Sequence, residues 1–281
     1  MNDELCIAAD RLTLSATQAG SGPAALVMLH GLTATREYTV MGSRHLERVG
    51  IANVAYDARG HGRSNPSPDG GAGGYTYARL ADDLGAVVDA TAGDRRVVLL
   101  GISMGAHTAV RYAIDRPERV AGLVLITPAH LPGIGMGDRS PWDRLAAALR
   151  GPDPIDAFVR ASQLELLPEA LRASVGAAIR QRLGRHEQLS AVADALQGVP
   201  RSSPFDDLAE LATIQSPSIV VGSRDAVDPS HPLAVAERWA AVLPNARLEV
   251  EADGKSPLAW QGGRLARFAE ELVACAGAGS A

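Results

Sequence analysis

The stretch Val97-Val98-Leu99-Leu100-Gly101-Ile102-Ser103-Met104-Gly105 decides the reading of this chain. A continuous run of β-branched and leucine residues reads as a buried strand. It ends in Gly-x-Ser-x-Gly and passes directly into the helical pattern Ala106–Arg116. A strand that turns this sharply into a helix holds its serine in a strained backbone conformation. Glycines two residues away on either side leave room for that turn. The Ser103 hydroxyl is expected to stand above the end of the sheet. The Met104 N–H, at the start of the helix, is expected to face any oxyanion formed there.

Outward from this elbow, strand-like apolar runs alternate with helical patterns. Leu26–Leu29, Ala52–Tyr56, Val120–Ile126, Ile219–Val221 and Leu248–Val250 read as further strands. Tyr75–Thr91, Pro232–Leu243 and Leu265–Cys275 read as helices, the first with Leu80, Leu84, Val87 and Val88 on one face. Continuous apolar strands separated by helices imply an α/β fold with a mostly parallel central sheet covered on both faces. Cys6–Ala16 fits an antiparallel edge hairpin. From 132 to 202 the rhythm changes to helical patterns alone, at Pro141–Leu149, Ile155–Leu166, Ala170–Leu183 and Glu187–Leu196. The expected organisation is a core of residues 1–131 and 203–281 with a helical lid insertion, 132–202, over the active site.

Composition narrows the class of function. The chain has 281 residues, 46% hydrophobic and 21% charged, the balance of a globular domain. A net charge of −5 without a basic cluster argues against nucleic acid or an anionic membrane as partner. No window approaches the roughly 18 uninterrupted apolar residues of a spanning helix. Met1-Asn2-Asp3-Glu4 does not start a basic-then-apolar leader, and Cys6 and Cys275 lack metal-ligand spacing. A cytoplasmic protein with free thiols is therefore expected. Lys255 is the only lysine beside 26 arginines.

In open α/β sheets, sites form at the carboxyl ends of the strands. There the chain places Leu29-His30-Gly31-Leu32, Asp57-Ala58-Arg59-Gly60-His61-Gly62-Arg63-Ser64, Ser103, Thr127–His130, Gly222-Ser223-Arg224-Asp225-Ala226-Val227-Asp228-Pro229 and Gly254-Lys255-Ser256-Pro257. With Leu29-His30-Gly31, Asp57-x-Arg59-Gly60-His61-Gly62-x-Ser64, the Ser103 elbow and Gly222-x-x-Asp225 in this order, the chain resembles the α/β-hydrolase-fold superfamily along almost its whole length. The resemblance implies Ser103 as nucleophile, Asp225 as triad acid, and the Leu32 N–H joining Met104 N–H as oxyanion hole. It also implies a catalytic histidine after the last strand, and here the chain departs from the family. That slot reads Gly254-Lys255, and the histidines are 30, 45, 61, 107, 130, 186 and 231.

A serine hydroxyl is a poor nucleophile without a base to take its proton. Histidine, with a pKa of about 6.5, suits that role, whereas lysine at about 10.4 is protonated at neutral pH. Bringing a lysine to neutrality takes about 4 kcal/mol of differential stabilisation, and a neighbouring Asp225 would oppose it. His231, in Asp228-Pro229-Ser230-His231-Pro232, and His130, after Val120–Ile126, are the alternative bases. His231 ranks first because its short tether keeps it beside Asp225, and Asp228 is a second carboxylate that a helix-capping role explains equally well. His30 and Trp260 join His130 as expected substrate-side residues, His30 also fitting a role in shaping the turn that follows it. His61 and Arg59 are expected to brace the loop after Asp57, His107 to pack, and His45 and His186 to lie on helix surfaces.

The expected activity is a serine hydrolase with an atypical base. It would act through an acyl-enzyme on a small ester, thioester or lactone, with no cofactor and no metal, as a monomer or homodimer. The alternative is a triad-degenerate scaffold that binds a small ligand or carries out lyase-type proton transfer.

Overall fold

The computed structural model describes residues 3–133, 139–225 and 228–278. Residues 134–138 of the insertion and Ala226 and Val227 after the fifth expected parallel strand lie outside the described residues. One eight-stranded sheet organises the chain. Its strands are β1 (Asp3–Ala9), β2 (Leu12–Ala19), β3 (Leu26–Leu29), β4 (Asn53–Tyr56), β5 (Val97–Ile102), β6 (Val120–Ile126), β7 (Ser218–Val221) and β8 (Ala246–Glu249). Their spatial order is β1-β2-β4-β3-β5-β6-β7-β8. The N-terminal hairpin is antiparallel and adds antiparallel to β4, and every other pairing is parallel.

The strands nearest the centre, β3, β5, β6 and β7, are buried almost throughout, because helices cover both faces and no position can be polar without losing solvent. The helices are α1 (His45–Arg48), α2 (Tyr77–Ala92), α3 (Met104–Asp115), α4 (Ser140–Arg150), α5 (Pro154–Ala161), α6 (Glu169–Leu183), α7 (Leu189–Gly198), α8 (Leu233–Val242) and α9 (Gly262–Ala278). One face of the sheet packs with α2, α3 and α8 around Leu99, Val110, Tyr112 and Trp239. The other packs with α9 around Val98, Leu100, Val124 and Leu272.

Helices α4–α7 form the insertion between β6 and β7, with a small core of their own that includes Leu149, Phe158, Leu183, Val192 and Leu196. Leu32, from the loop after β3, packs against that core. The continuous helix expected over Ile155–Leu166 instead stops at Ala161, because Gln163 adopts a left-handed φ of 52° and a separate short turn covers Leu164–Leu166. No helix among the described residues is long and apolar enough to cross a membrane.

The β5–α3 junction is the tightest point. A Cβ on Gly101 would lie 2.3 Å from the Gly105 carbonyl carbon, and one on Gly105 would lie 2.4 Å from the Leu29 carbonyl oxygen. Both contacts are with backbone, so neither can be relieved by a rotamer change. Gly101→Ala is therefore expected to destabilise the fold by about 3 kcal/mol or more. Urea unfolding of the two proteins would check this, and an unchanged midpoint would contradict the reading.

Candidate active site

Ser103 has φ 50° and ψ −110°, a conformation rare for a residue with a side chain. Its N–H donates to the Ile126 carbonyl (2.9 Å), and its carbonyl accepts the first bond of α3 from His107 N–H (3.0 Å). The elbow is thereby tied to both β6 and α3, and the side chain is left to project at the carboxyl end of the sheet. Met104 is the first helical residue of α3, so its amide is among those with no partner inside the helix. Gly31 lies alongside: a Cβ there would be 3.8 Å from Ser103 Cβ.

His231 reaches Ser103. Its Nε2 lies 2.8 Å from Ser103 Oγ, and its Nδ1 lies 2.7 Å from Asp228 Oδ2. A neutral imidazole that donates Nδ1–H to the carboxylate presents Nε2 as an acceptor to the hydroxyl. Burial alone would raise the Asp228 carboxyl pKa, but the hydrogen bond and charge of His231 and the Ser230 amide hold it below the ordinary carboxylate value.

Local sequence explains the arrangement. His231 and Asp228 are three residues apart in one turn that includes Pro229, and His231 N–H donates to the Asp228 carbonyl (3.3 Å). The carboxylate facing the histidine is thus Asp228, where the sequence pattern pointed to Asp225. That pattern pairs Asp225 with a histidine on the following loop. A histidine on the same loop finds the carboxylate one turn before it. Asp225 is half-buried, with its N–H donating to Ser223 Oγ (3.1 Å) and its carbonyl accepting from Asp228 N–H (3.2 Å).

Lys255 is exposed on the loop after β8 and lines a shallow surface depression with Glu251, Leu258 and Arg264. It takes no part in the contacts of Ser103 or His231. The buried Glu251 instead accepts from Ser223 Oγ and from the Arg224 and Leu258 amides, fastening the loops after β7 and β8 to one another. Trp260, on the same side, is 56% exposed and belongs to this outer surface, where its indole has no share in the Ser103 cluster.

Five further histidines hydrogen-bond to backbone groups. His30, expected on the substrate side, is 2% exposed with both ring nitrogens committed. Its Nδ1–H donates to the Gly31 carbonyl (2.8 Å), and its Nε2 accepts from Ala58 N–H (2.9 Å). His61 donates from Nδ1 to the Arg59 carbonyl (3.0 Å) and accepts at Nε2 from Thr33 N–H (3.4 Å). Arg59 itself forms a buried two-pronged pair with Asp83 (2.7 and 2.8 Å), anchoring the loop after β4 to α2.

His130 is half-buried, its Nε2–H donating to the Phe205 carbonyl (3.2 Å) and its ring edge-on to Phe205. It is committed to the backbone while His231 occupies the position beside Ser103. His107 accepts from Ala129 N–H (2.9 Å) and donates to Tyr77 Oη (2.7 Å). His186, expected on a helix surface, bridges two loops from the insertion. Its Nδ1 accepts from Gly62 N–H (2.9 Å) and its Nε2–H donates to the Thr33 carbonyl (3.0 Å). No local sequence signal marks it, since its partners are 124 and 153 residues away. Among the described residues no group of His, Cys, Asp and Glu is arranged to hold a metal ion.

Comparison with known proteins identifies the family and the fold. The model of the Alpha/beta hydrolase family matches residues 26–270. A 2-hydroxy-6-oxononadienedioate/2-hydroxy-6-oxononatrienedioate hydrolase of Pseudomonas putida is 30% identical over 257 residues, 85% of this chain and 83% of that protein. Its counterpart in Burkholderia vietnamiensis is 31% identical, over 82% and 80% of the two chains. Among solved structures, Est816, described as an N-acyl homoserine lactone degrading enzyme, superposes with a TM-score of 0.71 at 26% identity, covering 95% of this chain and 98% of its own. The enol-lactonase of Burkholderia xenovorans LB400, at 20% identity and a TM-score of 0.72 over 96% and 98%, shares the fold.

Burial pushes the pKa values of His30, His61 and His107 below the ordinary histidine value, and brings that of His186 down to about 4. The unfolded chain takes up protons at these rings near pH 6.5, while the folded protein holds them neutral. Their contribution to stability is therefore complete above about pH 6.5 and is lost as the pH falls toward 4. Urea midpoints measured from pH 7.5 to pH 4.5 should decline, and His107→Gln should flatten the slope by part of one proton. An identical slope in that variant would contradict neutral burial at this position.

Proposed function

The chain belongs to the alpha/beta hydrolase family and is a hydrolase, and we propose that it works through Ser103 as nucleophile, His231 as general base and Asp228 as the orienting acid. The observation that carries the proposal is the continuous chain of short contacts Ser103 Oγ–His231 Nε2 (2.8 Å) and His231 Nδ1–Asp228 Oδ2 (2.7 Å). As Oγ attacks a carbonyl carbon, His231 takes its proton and becomes an imidazolium, which Asp228 stabilises and keeps in orientation. In this scheme the tetrahedral oxyanion is held by the Met104 amide, at the start of α3, and the Leu32 amide, in the loop after β3. Collapse expels the leaving group, which receives the proton from His231. Water then attacks the acyl-enzyme by the same steps in reverse order.

The substrate class that fits is a small ester, thioester or lactone. Relatives named for hydrolysis of a small oxo-acid and for lactone degradation support a compact substrate. The helical insertion, whose core touches Leu32, acts as a lid over the site. Lys255 is a surface residue in this scheme, because the base already stands beside the nucleophile.

A fluorophosphonate probe and short p-nitrophenyl esters test the assignment. Ser103→Ala and His231→Ala are each expected to lower kcat by about 10⁴-fold or more, and Asp228→Asn by about 10²- to 10⁴-fold. Lys255→Ala should stay within about threefold of the parent. A variant series in which Asp225→Asn is as damaging as Asp228→Asn, or in which Lys255→Ala abolishes turnover, would reject it.

A further inference from the structure

The turn after β3 carries a backbone strain that the insertion helps to hold in place. Ala34 N–H donates to the Gly31 carbonyl (3.0 Å), closing a four-residue turn over Gly31–Ala34. Thr33, its third residue, has φ 65°. Glycine is the residue that takes this conformation at that position without penalty, and a β-branched side chain resists it. Thr33 is held there at both backbone polar groups. His61 Nε2 accepts its N–H, and His186 Nε2–H donates to its carbonyl (3.0 Å).

His186 is at the same time fixed to the loop after β4. Gly62 N–H donates to its Nδ1 (2.9 Å), and the adjacent Glu187 N–H donates to the Gly62 carbonyl (3.0 Å). Leu32, the residue before Thr33, is gripped by its side chain, which packs against the insertion core. The insertion thus holds this turn by an apolar contact at Leu32 and a polar one at Thr33.

We propose that His186 is a positioning residue that locks the Leu32–Thr33 turn in its oxyanion-binding conformation, so that seating of the helical insertion completes the oxyanion hole. The inference rests on the oxyanion role given to Leu32 above. Release of the Thr33 carbonyl lets its backbone relax toward negative φ, which rotates the adjoining peptide and carries Leu32 away from the Ser103 hydroxyl. The His186 ring hydrogen-bonds to Gly62 and Thr33, and neither bond reaches Ser103. Its effect falls on the transition state, where the developing oxyanion needs a donor at fixed distance, and leaves ground-state binding alone.

The test compares the parent, His186→Ala and His186→Gln on p-nitrophenyl acetate, with a trifluoromethyl ketone as a probe whose adduct with a serine bears an oxyanion. His186→Ala is expected to lower kcat about 10-fold with KM within about twofold, and to weaken the trifluoromethyl ketone about 10-fold. The pH midpoint of kcat should stay in place, because His231 is untouched. The carboxamide of His186→Gln offers an acceptor and a donor spaced like the two imidazole nitrogens, and it should restore kcat to within about threefold of the parent. An unchanged kcat and inhibitor affinity in His186→Ala overturns the inference alone. So does a His186→Gln variant that folds with the parent's melting temperature yet is as impaired as His186→Ala. A parent protein that neither turns over the ester nor reacts with the fluorophosphonate overturns the hydrolase reading, and this inference with it.

Discussion

Everything at this site depends on a steric constraint at the β5–α3 junction. Ser103 keeps a left-handed φ because β5 must end and α3 must begin within a single residue. That is feasible only where the backbones of Gly101, Gly105 and Leu29 come closer than any Cβ would permit. The cost of one strained residue, of order 1–3 kcal/mol, is offset by a junction buried between two large apolar clusters. The return is positional. The hydroxyl and the first amide of α3 are both referred to one rigid strand-to-helix corner, so their mutual distance does not depend on a loop.

Around that corner the protein uses neutral histidines as hydrogen-bonded struts. His30, His61 and His186 each accept at one nitrogen and donate at the other, and their rings lie in succession, with centroids 5.1 and 5.6 Å apart. A buried ring with both nitrogens engaged is rigid and carries no charge to solvate. His231 is partly exposed, with a carboxylate on one side and a hydroxyl on the other. The difference between these struts and His231 lies in what each nitrogen faces: backbone groups in the first case, side-chain oxygens of Asp228 and Ser103 in the second. Taken together with the seating of α4–α7 on Leu32 and Thr33, this links the insertion to the chemistry through a short run of contacts.

The α/β fold and its parallel core were legible in the chain because fully buried strands admit only apolar residues, and runs such as Leu26–Leu29 and Val120–Ile126 announce themselves. The edge hairpin expected over Cys6–Ala16 is present as well, with its two strands running over Asp3–Ala9 and Leu12–Ala19. The elbow serine was equally plain, since glycine at both flanks has a steric cause that spacing reveals. His231 could be ranked first among the alternative bases from its tether alone. Its carboxylate partner could not be chosen, because Asp225 and Asp228 are both on the loop, and which one faces the imidazole depends on how the turn at Pro229 closes.

By itself, then, the sequence determined the sheet, the helices that cover it, the elbow and a shortlist of bases, all of which follow from local periodicity and from backbone conformations only glycine allows. Tertiary structure alone decided that Asp228 faces His231, that Lys255 sits on the surface, and that His30 and His186 serve as struts. The physical reason is that a side chain's role is set by the partners its polar atoms find. Those partners come from loops tens to more than a hundred residues apart, which only the completed sheet brings within hydrogen-bonding distance.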